Sequence, residues 1–298
     1  FEVTADSSRV VYTAQHHGDP GTQLYAAPVG GGAPIRLSGP SAPGEVPGRL
    51  DTDDFTVSPD SSRVIYRADQ DSDGDHELYS VPIGGGQVVE ISGTIVAGGD
   101  VSSRGGHAPG FVVTLDSSRV IYRADQDSNG IFELYSVPTG GGAVTKLNSP
   151  LVADGDVNFG FVVSPDSTRV IYRAGQDVAR LDELYSVPAV GGAAVKLHES
   201  LDPGDRIQSF EVSPDSARVV YVVDRLLKLR PALFSVPIGG GSPVQIDVPD
   251  EGPPEDFTIS PDSTMVVYGT RACPACTAGF VWAVPIEGGQ PQLLHTLA

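Results

Sequence analysis

Residues 55–86 read FTVSPDSSRVIYRADQDSDGDHELYSVPIGGG, and the string returns twice with few changes. From Phe111 it runs FVVTLDSSRVIYRADQDSNGIFELYSVPTGGG, and from Phe161 FVVSPDSTRVIYRAGQDVARLDELYSVPAVGG. Weaker copies start at Phe1, Phe210 and Phe257, so six copies follow one another with starts 54, 56, 50, 49 and 47 residues apart. A period of this size marks a repeat architecture in which each copy is one supersecondary unit.

The second copy shows what that unit is. Residues 54–58 (DFTVS) place Phe55 and Val57 on one face, which predicts a short strand. Pro59-Asp60-Ser61-Ser62 supplies a tight turn: proline presets φ and the aspartate carboxylate can accept from the amides that follow. Residues 63–68 (RVIYRA) are rich in β-branched and aromatic side chains, so they form a second strand. Residues 77–82 (ELYSVP) form a third, Gly84-Gly85-Gly86 permits positive φ at a hairpin turn, and 87–91 (QVVEI) form a fourth. Helical periodicity is absent throughout. Four short antiparallel strands per period, six times over, predict an all-β, six-bladed β-propeller that occupies residues 1–298 as one domain. Each copy supplies its own four strands, so closure is expected without strand sharing between the termini.

At these residues the chain resembles the TolB-like, WD40-like propeller repeats. Their pattern is an aromatic strand, a Ser-Pro-Asp-Gly turn, an Arg/Lys-hydrophobic strand, and a Leu-Tyr strand before a glycine-rich turn. Here serine stands at the fourth turn position (Ser61, Ser117, Ser167, Ser216, Ser263) where that family has glycine. The resemblance covers the whole chain and implies a fold; it also implies a bacterial periplasm, a cell surface or a secreted protein.

Composition narrows the partners. The formal charge is −19, from 38 acidic and 19 basic residues, and such a surface repels phosphate backbones, which excludes nucleic acid as the natural ligand. Divalent cations and protein partners fit better, self-assembly included. No apolar run is long enough to span a membrane. The chain begins at Phe1, inside the first repeat, which suits a processed chain or one piece of a larger one.

In a four-stranded blade the connections after the second and fourth strands share one side, and here they are long and irregular: 39–53, 93–110, 149–160, 199–208 and 247–255. Variable loops on a rigid scaffold are where binding resides. Asp69, Asp71, Asp73, Asp75 and Glu77, with Gly74 between them, suit a hard cation that takes several oxygens, so calcium is expected there. Asp125, Asp127, Asn129 and Glu133 repeat the pattern in the third blade, and the fourth keeps Asp177, Asp182 and Glu183; solvated acidic turns are the alternative. Aspartates before the inner strands (Asp54, Asp100, Asp156, Asp205, Asp256) either ring a channel mouth or bond loop amides. Arg67, Arg123 and Arg173 are expected to pair with the acidic loops. Cys273-Pro-Ala-Cys276 is expected to close a local disulfide, with a free thiol pair or redox chemistry as alternatives. His16 and His17 adjoin Asp19, and Leu226, Leu227 and Leu229 form an apolar contact candidate in the fifth blade.

No G-x-S-x-G elbow, H-E-x-x-H or phosphate-cradling loop is present. The expected function is a non-catalytic, calcium-stabilised extracytoplasmic interaction or assembly module. The alternative is a calcium-dependent hydrolase or lyase with carboxylates at the channel mouth.

Overall fold

The computed structural model describes residues 1–15, 22–39, 54–70, 74–103, 110–178, 181–202, 204–225, 230–247, 254–271 and 279–297. They form six four-stranded antiparallel sheets, each ordered as its strands occur in the chain, and no helix occurs among them. The second blade consists of Phe55–Val57, Arg63–Ala68, Glu77–Pro82 and Val89–Glu90. The two middle strands match the sequence reading. The outer one is only two residues long, where the sequence predicts residues 87–91, and follows a glycine turn with Gly85 at φ 81° and Gly86 at φ 132°. The first sheet holds only the strands from Glu2–Val3 to Ile35–Arg36, and the sixth only those from Pro254–Ile259 to Gln292–Leu297. Among the described residues no strand is exchanged between them.

The chain divides into two compact units. The first comprises residues 1–148, 156–163 and 189–192, and so contains the first three blades and the inner strand of the fourth, Val162–Val163. The second comprises 149–155, 164–188 and 193–298, with the other three strands of the fourth blade and the whole of the last two. Within the first unit, Val11, Leu24 and Leu37 of blade one bury against Phe55, Val64 and Tyr66 of blade two. Ile65 and Leu78 of blade two in turn bury against Phe111, Val120 and Tyr122 of blade three. In the second unit Ile171 and Leu184 meet Val219 and Tyr221, while Val220 and Leu233 meet Val266 and Tyr268. Alternating faces of the second and third strands thus serve two neighbours, which is why RVIYRA reads as an almost continuous apolar run. The recurring tyrosines stack in pairs within a blade, Tyr66 on Tyr79 at 5.6 Å and Tyr122 on Tyr135 at 5.4 Å between ring centroids.

The serine at the fourth turn position has a physical reason. Ser61, Ser117, Ser167, Ser216 and Ser263 all sit at φ 60–64°, a left-handed conformation that L-residues adopt at a cost. In return the hydroxyl reaches the neighbouring blade. Ser117 Oγ accepts the Asp60 amide at 2.9 Å, Ser216 Oγ that of Asp166 at 2.9 Å, and Ser263 Oγ that of Asp215 at 3.0 Å. Glycine would make the turn without the strap. A second strap runs from the ELYSVP serines: Ser80 Oγ accepts from Arg63 Nε at 2.7 Å and donates to Thr139 O at 2.6 Å, and Ser136 links Arg119 to Ala189 O in the same way.

Candidate functional site

The connection side of the first unit is held by charged side chains turned on the backbone. Arg67 Nε donates to Val101 O at 2.6 Å, and its Nη atoms lie 3.5 Å from Asp54 and 3.4 Å from Asp100. Arg123 repeats the contact on Val157 O at 2.6 Å, adds Ser102 Oγ at 2.7 Å, and is sandwiched between Phe132 and Phe159 at 3.8 and 4.0 Å. Burial pushes the Arg123 guanidinium down to about 10, still cationic at neutral pH. These arginines hold the connection into the next blade; the acidic loops are not their partners in these contacts. In the second unit Arg173 Nη1 likewise donates to Ile207 O at 2.9 Å.

Two of the five aspartates before the inner strands, Asp100 and Asp156, bond amides, while Asp54 lies against Arg67. Asp100 Oδ1 accepts from His76 N at 2.8 Å, and Asp156 Oδ1 from Phe132 N at 2.7 Å, the same position one blade on. Asp125, read from sequence as a cation ligand, spends both oxygens in this way, on the Asp100 amide at 2.6 Å and the Gly130 amide at 2.7 Å. Asp75 is buried with its carboxylate on the Gly98 amide at 2.9 and 3.0 Å.

The acidic loops differ from blade to blade in what balances their charge. In the third, the Lys146 ammonium lies 2.7 Å from Asp127 and also bonds Glu133, a buried carboxylate that further accepts the Tyr135 hydroxyl at 3.1 Å. A lysine therefore stands where a cation between Asp127 and Glu133 would sit, and with Asp125 engaged this donor set does not fit calcium. Asn129 packs close to Gly98. The fourth blade repeats the arrangement, with Lys196 at 2.5 Å from both Asp177 and Glu183. The Lys196 bond holds the Asp177 carboxyl below its ordinary range; Glu183 is lowered too, burial being outweighed by Lys196 and Tyr185. In the second blade the partner strand carries Glu90 opposite Tyr79, the register at which Lys146 faces Tyr135 and Lys196 faces Tyr185. Glu77 is buried there and accepts the Tyr79 hydroxyl at 3.0 Å. Asp71 and Asp73 lie outside the described residues, as do Cys273, Cys276, His16, His17, Asp19, Leu226, Leu227 and Leu229. Among the described residues no group of three or more histidine, cysteine, aspartate or glutamate side chains is placed to hold a metal.

The straps and arginine latches were hidden in residues that look like ordinary strand and turn composition. Their signal was available as exact recurrence of Arg67, Arg123 and Arg173, and of Ser80, Ser136 and Ser186.

Solved structures share this fold over nearly the whole chain. A eukaryotic initiation factor matches at 10% identity with a TM-score of 0.60, covering 99% of this chain and 66% of its own. An oligogalacturonate lyase from Vibrio parahaemolyticus matches at 12% identity with a TM-score of 0.52, covering 98% of this chain and 75% of its own. The fold is a six-bladed β-propeller. TolB from Acinetobacter baumannii is also a neighbour, at 16% identity and a TM-score of 0.41, with 95% of this chain and 62% of its own covered. No protein-family model matches the sequence, and no curated protein matches it. At such identities the propeller is shared as a fold and not as an activity. No helix among the described residues is long and apolar enough to cross a membrane.

Proposed function

We propose that this propeller is a non-catalytic interaction module, working outside the cytoplasm, whose connection side meets a protein partner or a second copy and whose second blade is stabilised by calcium. One observation carries the reading. The connection-side carboxylates and arginines that a hydrolase or lyase would need are turned on backbone amides and carbonyls, as in Asp100 to His76, Asp125 to Asp100 and Gly130, Asp156 to Phe132, and Arg123 to Val157. They hold irregular connections rigidly, which is what a recognition surface requires. Val96 and Ile131 expose apolar side chains on that side of the first unit.

Calcium belongs to the second blade alone in this reading, with Asp69, Asp71, Asp73 and Glu77 as ligands. The support is the reversed charge at Glu90, where the next two blades supply a lysine. Bound there, the ion would offset the carboxylates and tie the loop to its strand. The reading is tested by immobilising the chain and offering it extracytoplasmic proteins in calcium or in chelator. A partner retained by the parent and lost with Ile131→Ser and Val96→Ser, at unchanged melting temperature, supports it. Turnover of an oligosaccharide or peptide that Asp100→Asn abolishes would overturn it.

A further inference from the structure

In the second, third and fourth blades the residue four positions after the second-strand tyrosine is glutamine: Gln70, Gln126 and Gln176. Its side chain fills the space between that tyrosine and the connection leading into the blade. Gln70 Nε2 lies 3.2 Å from the Tyr66 hydroxyl, which also accepts the Gly39 amide at 3.3 Å. Gln126 Oε1 is 2.8 Å from the Tyr122 hydroxyl. Gln176 Oε1 accepts twice, from the Tyr172 hydroxyl and from the Ser149 amide, both at 2.8 Å. A carboxamide thus fills this site in three of the six blades.

The fifth blade lacks it. Arg225 stands at the glutamine position and its guanidinium lies 5.0 Å over the Phe234 ring. A cavity of about 140 Å³ opens beside it, lined by His198, Glu199, Asp202, Asp205, Tyr221 and Arg225, all of the second unit. That is room for four or five waters at about 30 Å³ each, enough for an amide group and its first methylene. Tyr221 is buried in a stack on Phe234 and lines the cavity.

His198 supplies the complementary group. It is only 8% exposed; Nδ1 lies 2.6 Å from Glu199 O, which can only accept, so Nδ1 carries the proton. Burial lowers the affinity of the ring for a second proton, so the imidazole is neutral at pH 7 and Nε2 is an acceptor. Nε2 is buried without a partner among the described residues. At the equivalent position four other blades carry a side chain that caps a strand amide: Ser38 on Leu24, Ser92 on Leu78, Asn148 on Leu134 and Asp247 on Leu233. His198 departs from that role in the same place where the glutamine plug is missing. A buried polar atom without a partner is costly, and a ligand donor would relieve it.

We propose that this cavity is a binding subsite for a primary carboxamide. The amide oxygen accepts a hydrogen bond from the Tyr221 hydroxyl, as Gln176 Oε1 does from that of Tyr172, and the amino group donates to wall acceptors, His198 Nε2 and the carboxylates. Glu199, Asp202 and Asp205 repel a carboxylate ligand of the same shape. The inference stands independently of the calcium and interaction readings, since it rests on one blade's internal packing.

Acetamide titrated into isotope-labelled protein tests it, with acetate as the isosteric control. Saturable shifts of His198, Tyr221 and Arg225 signals with acetamide and none with acetate are expected. Arg225→Gln restores the plug and should abolish the shifts; Tyr221→Phe should weaken binding about fivefold, the worth of one hydrogen bond. Gln176→Ala should create a second acetamide site in the fourth blade. A glutamine-bearing peptide binding at least tenfold tighter than acetamide assigns the amide to a partner's side chain, and equal binding assigns it to a free small amide. Absence of acetamide binding to the parent, or binding that Arg225→Gln leaves untouched, overturns the proposal.

Discussion

Ser117 allows the strap between blades to be weighed against the strain of its own turn. Its φ is 60°, its hydroxyl accepts the Asp60 amide at 2.9 Å, and its carbonyl accepts from Thr139 Oγ1 at 2.8 Å. Ser117→Ala deletes the strap and keeps the left-handed backbone. One part-buried hydrogen bond is worth about 0.5–1.5 kcal/mol net, so alanine should destabilise by about 1 kcal/mol. Ser117→Gly loses the same bond but relieves about 1–2 kcal/mol of left-handed strain, less about 0.4–1 kcal/mol for the freer unfolded chain. Glycine should therefore fall within about 1 kcal/mol of the parent and above alanine. Urea unfolding with matched slopes reads both differences, and a chain of this size should show about 2–4 °C in melting temperature per kcal/mol. Alanine equal to the parent would show that the strap contributes nothing. Alanine above glycine would refute the assignment of strain to this backbone.

Three further outcomes are expected. Calcium held about tenfold above its dissociation constant should stabilise the second blade by about 1.4 kcal/mol, seen as a lower melting temperature in chelator, and Glu90→Lys should remove that sensitivity by supplying the charge that Lys146 supplies next door. An indifferent parent melting curve would leave the loop a solvated acidic turn. The turn carboxylates have lowered pKa values: for Asp215 the Ser213 hydroxyl and then the Ala217 amide stabilise the anion. A depressed folded-state pKa gives stability that is present above the unfolded value near 4 and lost as pH falls below it, so melting temperature should drop below about pH 4, and less steeply in Asp215→Asn. Arg123→Lys should destabilise despite its conserved charge, because lysine cannot both stack between Phe132 and Phe159 and reach Val157 O; a melting temperature unchanged by the swap would contradict that role.

Sequence alone determined the repeat, the four strands of each copy and the turn chemistry, because period-two patterning, proline and glycine act locally and recur six times. RVIYRA and ELYSVP were legible to the residue, for strands buried on both faces have only one way to be read. The identity of the charged residues was equally plain, but their partners were not. Asp127 and Glu133 looked like calcium ligands until Lys146, on the neighbouring strand, was brought against both. Arg67 and Arg123 looked like partners of the loops that follow them, whereas packing turned each toward a connection more than thirty residues on. Serine in place of glycine likewise made sense only once its hydroxyl met an amide of the adjacent blade. Strands are fixed by interactions between near neighbours in the chain; which charge neutralises which, and which cavity is left unfilled, depends on contacts across strands and between blades, and those exist only in the folded protein.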